Sequence, residues 1–200
     1  MEMNISSYEA NNDQQPDPRI IITNFFGTWI QTTLTSRPEI IHQWIHHYWQ
    51  VYGMLFGNRL IVGAGVQWRP SNHRADTLQL CIGTRCLLIQ LSHTPYIPDI
   101  LRWFLVDVNI HFVGIRNRFD AERLRISDHE LLISNLINIG DFIDIGLPGL
   151  RGDPSVGRSN WSAEHLTIDQ VQYAVVDAYV SFELGRTERI WEVLNFLRIY

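Results

Sequence analysis

Tyr173 and Asp177 stand four residues apart in a stretch with helical apolar spacing, so the phenol and the carboxylate share one helix face. Asp120 lies inside an arginine cluster formed by Arg116, Arg118, Arg123 and Arg125. Guanidinium forks suit phosphate oxygens, so this cluster can hold phosphates beside a carboxylate, or else form solvated surface. Taken singly, Asp120 also suits a capping carboxylate at a helix start, and Tyr173 and Asp177 suit ordinary amphipathic positions. His42 and His46 have the i, i+4 spacing of two helical zinc ligands, but no Glu follows His42 and no third ligand is evident. A solvated or half-buried face is the expected reading there. Cys81 and Cys86 bracket Ile-Gly-Thr-Arg with no second pair, a poor zinc signal, and are expected reduced and buried.

The elements that must position these residues follow from periodicity and turn chemistry. Ile20–Phe25 and Thr28–Thr35 read as a hairpin broken at Gly27. Arg37–Tyr52 has helical spacing, with Ser36 as cap, Pro38 in the first turn and Gly53 and Gly57 as terminators. Trp44, Tyr48 and Trp49 on it can stack bases, but at that spacing they read as core. Leu60–Trp68, Thr77–Ile82 and Arg85–Leu91 are strand-like, the last two joined by Gly83-Thr84, which suits a type II′ turn. Pro98–Val106 reads as a helix, His111–Ile115 as a strand and Arg118–Arg125 as a short helix. Leu131–Ile145 fits strand and helix equally. Leu147–Asn160 reads as a loop rich in Gly, Pro and Arg, and Thr167–Leu197 as a helix opened by a Thr167/Gln170 capping box. The order implies an α/β fold: an antiparallel meander plus further strands in a mixed sheet flanked by helices. Residues 1–18, rich in Asn, Gln, Asp and Pro, read as a disordered tail. Residues 19–200 read as one domain, with the first hairpin and helix as an appendage.

Composition narrows the function classes. The chain has 200 residues, 46% hydrophobic and 18% charged, with 16 basic against 21 acidic side chains and a formal charge of -5. All the basic residues are Arg; the sequence contains no Lys. Such a balance excludes a histone-like, sequence-blind grip on nucleic acid but allows a local Arg-lined groove. No apolar run reaches the roughly 18 residues of a membrane helix, and Met1–Arg19 resembles neither a signal nor a transit peptide. Cytoplasmic or nuclear placement is expected, with no membrane partner.

Four stretches together carry a family resemblance: Ile61–Pro70, Thr77–Gly83, Phe112–Asp120 and Trp161–Tyr179. In their order and spacing the chain resembles DnaQ-like 3′–5′ exonuclease domains of the ribonuclease H-like superfamily. It is most similar to plant Werner syndrome-like exonucleases and to plant RISC-interacting clearing exoribonucleases. The resemblance implies two-metal phosphodiester hydrolysis with Mg²⁺ or Mn²⁺ on four carboxylates, and a tyrosine that positions the attacking water. It places the second-motif ligand at Asp120 and the third-motif pair at Tyr173 and Asp177. The first-motif Asp and Glu fall on Gly65 and Gln67. Gly65 supplies no ligand, and Gln67 one neutral amide oxygen. Asp76 is a conceivable substitute, although a loop Asp is usually a turn residue.

Two function classes remain open at this point. One is a 3′–5′ exonuclease trimming single-stranded ends, RNA expected ahead of DNA, with Arg116, Arg118 and Arg123 on the phosphates. The other is a catalytically degenerate exonuclease fold serving as a nucleic-acid-binding or oligomerisation module. The RISC-interacting look-alikes form hexameric rings and work with Argonaute. The resemblance therefore implies a homo-oligomer, a hexamer among the options, and Argonaute as a candidate partner.

Overall fold

A computed structural model describes residues 5–10, 17–56, 60–141 and 153–187. Eight strands form one mixed sheet in the order β1-β2-β3-β6-β5-β4-β7-β8. They are β1 (Ile5–Glu9), β2 (Arg19–Phe25), β3 (Thr28–Thr35), β4 (Leu60–Gln67), β5 (Thr77–Ile82), β6 (Arg85–Gln90), β7 (Ile110–Gly114) and β8 (Leu136–Asn138). β4, β5 and β6 form the antiparallel meander, while β4–β7, β7–β8 and β3–β6 pair in parallel. The helices are α1 (Pro38–Phe56), α2 (Asp99–Val106), α3 (Asp120–Arg125), α4 (Pro154–Gly157) and α5 (Ile168–Thr187).

Turn chemistry sets the hairpins. Phe26 and Gly27 both have positive φ, 50° and 89°, the pattern of a type I′ turn between β2 and β3. Gly83 has φ 58° and Thr84 does not share the left-handed region, which fits the expected type II′ turn. The capping box of α5 is formed in both directions: Thr167 N donates to Gln170 Oε1 at 2.9 Å and Gln170 N to Thr167 Oγ1 at 3.2 Å.

Strand parity divides the core between the two faces of the sheet. Val62, Ala64 and Val66 of β4 join Leu78 and Leu80 of β5 under α1 and α2, with Trp44, Ile45, Phe104 and Phe112. Ile61 of β4 and Cys81 of β5 face the other way, against Val171, Ala174, Val175 and Ala178 of α5. Odd-numbered residues of β4 and β5 therefore lie beneath α5. The closest approach is at Gly63. A Cβ there would sit 1.9 Å from the Ala178 carbonyl oxygen and 2.8 Å from the Phe182 amide nitrogen. Only a residue without a side chain lets the α5 backbone rest on β4 at this point.

Several sequence expectations are corrected. Within the segment read as a disordered tail, Ile5–Glu9 is a strand paired with β2. It is pinned by Ser7 Oγ donating to Gln172 Oε1 at 2.9 Å and by Arg19 with Glu9 at 2.9 Å. Its polar composition hides this because the pairing is supplied by the β2 edge; residues 1–4 and 11–16 of the tail lie outside the described residues. The β2–β3 hairpin joins the same core, since β3 pairs with β6 and carries the central sheet outward. α1 runs past Gly53, since one interior glycine costs only about 1 kcal/mol against a packed stripe; Gly57 lies outside the described residues. Cys81 and Cys86 form a disulfide rather than staying reduced. They sit directly opposite each other one pair from the Gly83-Thr84 turn, with Cα atoms 4.2 Å apart. Of Leu131–Ile145, only Leu136–Asn138 is strand and a 3₁₀ turn follows; positions beyond 141 lie outside the described residues. In the stretch read as a loop, Pro154–Gly157 form one helical turn, started by Asp153 accepting from Ser155 N at 2.8 Å; its first part, to residue 152, lies outside the described residues. α5 is described to Thr187, so the expected continuation to Leu197 also falls outside.

Gly63→Ala should destabilise the fold by at least about 2 kcal/mol, because backbone atoms on α5 cannot move aside as a flexible side chain would. Urea denaturation of both proteins checks this, and an unchanged midpoint would show that α5 is free to lift off β4.

Candidate active site

β4 presents Gly65 and Gln67 on the face covered by α5, because both share the parity of Gly63. α5, seated on Gly63 through Ala178, delivers the neighbouring Asp177 to the same place. A Cβ on Gly65 would lie 3.5 Å from Asp177 Oδ2. It would also lie 2.9 Å from Oε1 of Gln79, the residue paired with Gly65 across β5.

Asp120 reaches the cleft from the loop after β7. Asn117 Nδ2 donates to the Ile137 carbonyl at 3.0 Å, and Asp120 N to the Asn117 carbonyl at 2.9 Å, which fixes the start of α3. Asp120 is buried. Burial, followed by the charge of Asp177, pushes its carboxyl up from 3.8 to about 7, against the opposing pull of the Arg123 guanidinium. Burial also raises the Asp177 carboxyl to about 6, with Arg116 acting in the opposite direction. The two carboxylates thus share one cleft with too little positive charge around them.

Tyr173 lies one turn before Asp177 on α5 and is half-buried. Its phenol is raised by burial and then by Asp177, and lowered by Arg116. The hydroxyl packs against α4, where a Cβ on Gly157 would stand 2.8 Å from it. Trp161 Nε1 donates to the Gly157 carbonyl at 3.2 Å and holds that turn in place.

The arginines divide into three kinds. Arg116 and Arg118 are exposed and form no ion pair among the described residues. Arg116 adopts a left-handed φ of 58°, held by its N–H donating to Asn138 Oδ1 at 3.0 Å. The guanidinium carbon of Arg123 lies over Trp68, 3.6 Å from the ring centroid, with the exposed Phe119 ring at 5.7 Å. Arg125 is committed to Glu122 at 2.7 Å. Asp76 is also committed: its Oδ2 accepts from Arg69 N at 2.8 Å and Arg69 Nε at 3.2 Å, so it does not replace the missing first-motif ligands. His42 and His46 are exposed, with rings stacked 6.0 Å apart. Among the described residues no group of three or more His, Cys, Asp and Glu is placed to hold a metal.

The structure therefore places Gly65 and Gln67 on the β4 face beneath α5 and brings Asp177 over position 65, with Asp120, Tyr173 and Arg116 close enough to act on it electrostatically. Two participants are absent from the sequence reading. Gln79 has the parity of the α5 side, a signal present in the sequence but silent without the β4 register. The other is Trp68, from a distant segment, over which Arg123 stacks instead of standing free for phosphates, with Phe119 alongside.

The four-carboxylate, two-ion centre implied by the resemblance does not fit these residues. Position 65 carries no side chain, and the Gln79 amide oxygen reaches into that place. Asp120 and Asp177 offer two negative charges to two ions bringing four positive ones.

No family model matches the chain. A putative 3′–5′ exonuclease, R431, of Acanthamoeba polyphaga mimivirus is 25% identical over 206 residues, covering 86% of this chain and 50% of that protein. The mouse bifunctional 3′–5′ exonuclease/ATP-dependent helicase WRN is 27% identical over 142 residues, 60% of this chain and 10% of that protein. The chain thus spans half the length of the first relative and a tenth of the second. Among solved structures, the EXO domain of Aedes aegypti Nibbler superposes with a TM-score of 0.59 at 13% identity, covering 78% of this chain and 85% of that one.

The raised carboxyls make a prediction about pH. Both groups bind protons more tightly folded than unfolded, so stability falls as pH rises from about 4 to about 7 and is lowest above that window. Asp120→Asn should therefore raise Tm by several degrees at about pH 8 and change it little near pH 4. Thermal melts at both pH values check this; the same shift at each would place Asp120 outside a charge-starved cleft.

Proposed function

We propose that this chain, which is similar to DnaQ-like 3′–5′ exonuclease domains of the ribonuclease H-like superfamily, binds single-stranded nucleic-acid 3′ ends at this site without hydrolysing them by the two-metal route. The observation that carries this reading is position 65. Asp177 lies where it can share an ion with a neighbour on β4, and the neighbour is a glycine. Hydrolysis needs ions to activate water and stabilise the leaving oxygen, and the charge to hold a pair of them is missing. The same cleft keeps features that suit binding. Exposed Arg116 and Arg118 are free for phosphate oxygens, and Phe119 beside Asp120 offers a ring for a terminal base.

Within this proposal the ligand is RNA ahead of DNA, in keeping with the resemblance to RISC-interacting exoribonucleases. Self-association belongs to the same proposal and is supported by Tyr8 on β1, Phe26 in the β2–β3 turn and Trp29 on β3, exposed by 54%, 55% and 57%. Trp44, in contrast, is buried in the core, and Phe25 packs against Tyr179 at 5.9 Å. Among the described residues no helix is long and apolar enough to cross a membrane.

Fluorescence anisotropy and gel assays with 3′-labelled single-stranded RNA and DNA test the reading. The wild-type chain should bind RNA and leave it intact in Mn²⁺, and Phe119→Ala should weaken binding roughly tenfold. The double change Gly65→Asp with Gln67→Glu should create Mn²⁺-dependent trimming. Gly65 lies in ordinary strand backbone, and the atom facing a new Cβ at 2.9 Å is the end of the flexible Gln79 side chain, so the variant should fold. Trimming by the wild type, abolished in Asp177→Ala, would overturn the proposal.

A further inference from the structure

Gln79 is 1% exposed, and its Nε2 donates to Thr77 Oγ1 at 2.6 Å. This bond turns Oε1 toward Gly65, where it is buried with no hydrogen-bond partner. A buried acceptor left without a partner costs about 1–3 kcal/mol. The space it faces is the one a Cβ on Gly65 would occupy, with Asp177 Oδ2 on the other side of that position. Gln67 lies on the same strand face, and Asp120 is near enough for the Asp177 charge to act on it. The side chains gathered here offer oxygen: two carboxylates and the amide oxygen of Gln79, with a second amide at Gln67. Oxygen sets of mixed carboxylate and amide character suit hard divalent cations.

We propose that the cleft binds a single divalent cation of the Mg²⁺ or Mn²⁺ class, with Gln79 Oε1 as a neutral ligand beside the Asp177 and Asp120 carboxylates, in place of an ion pair. This inference rests on the reading of the cleft as a binding site short of two carboxylates. It assigns Gln79 a ligand role that four-carboxylate chemistry does not require. One ion of charge +2 matches the two remaining carboxylates, whereas a second finds no anionic partner. Glycine at position 65 is what gives the Gln79 amide access to the ion.

Mn²⁺ titration of the full chain, followed by loss of the free-ion electron paramagnetic resonance signal, tests this without any activity readout. The expected result is one site per chain. Gln79→Met, which keeps the side-chain length and removes the oxygen, should weaken that site at least about tenfold. Gln79→Glu should tighten it, and carries the test alone if the methionine variant fails to fold. No Mn²⁺ binding, or binding indifferent to both changes, would overturn the single-ion site and leave the proposed end-binding function standing. Two sites per chain would overturn both.

Discussion

The α5 backbone resting on β4 at Gly63 is the contact on which the rest of the structure depends. A helix normally stands off a sheet by the thickness of the side chains between them. Here the Ala178 carbonyl would be 1.9 Å from any Cβ at position 63. That approach fixes the height and rotation of α5, brings Asp177 over position 65, and sets Tyr173 one turn away against α4. It also closes the apolar cluster formed with Val171, Ala174 and Val175. The site is thus a by-product of how the helix and central strand pack.

This dependence explains how geometry and chemistry separate in this protein. The packing that positions Tyr173 and Asp177 is enforced by the contact of α5 on Gly63 and the core around it. The charge of the site has no such protection. With Gly65 and Gln67 on β4, two carboxylates remain in a buried cleft, raised to about 7 and about 6 by burial and, for Asp120, by the other's charge. Arg116 offsets part of this from a strained left-handed backbone position held by Asn138. A cleft of this kind favours cationic or hydrogen-bond-donating ligands and is poor at retaining two ions.

Much of the fold was legible because local rules decide it. The Gly83-Thr84 turn and the Thr167/Gln170 box are short-range signals, and both hold in the structure. The strands read at Leu60–Trp68, Thr77–Ile82 and Arg85–Leu91 are all present within a residue or two. What escaped depends on pairing between distant segments. Ile5–Glu9 has a polar sequence and becomes a strand only because the β2 edge accepts it. Cys81 and Cys86 read as separate buried thiols until the hairpin register sets them opposite each other. The one-turn α4 hides in a Gly- and Pro-rich stretch, and its importance lies in what Gly157 leaves open for Tyr173. At the site, the motif residues were readable by resemblance, while Gln79 was not, since its relation to Gly65 exists only across a strand pair.

Asp120, Tyr173 and Asp177 stand together at the β4–α5 face without the charge to hold two ions. Anomalous diffraction from crystals grown with Mn²⁺ and a short single-stranded RNA tests it most directly. The expected result is an uncut oligonucleotide with its 3′ end beside Asp177 and Phe119, and a single manganese peak near Gln79 and Asp177. Two manganese peaks with a released nucleotide in the cleft would contradict it.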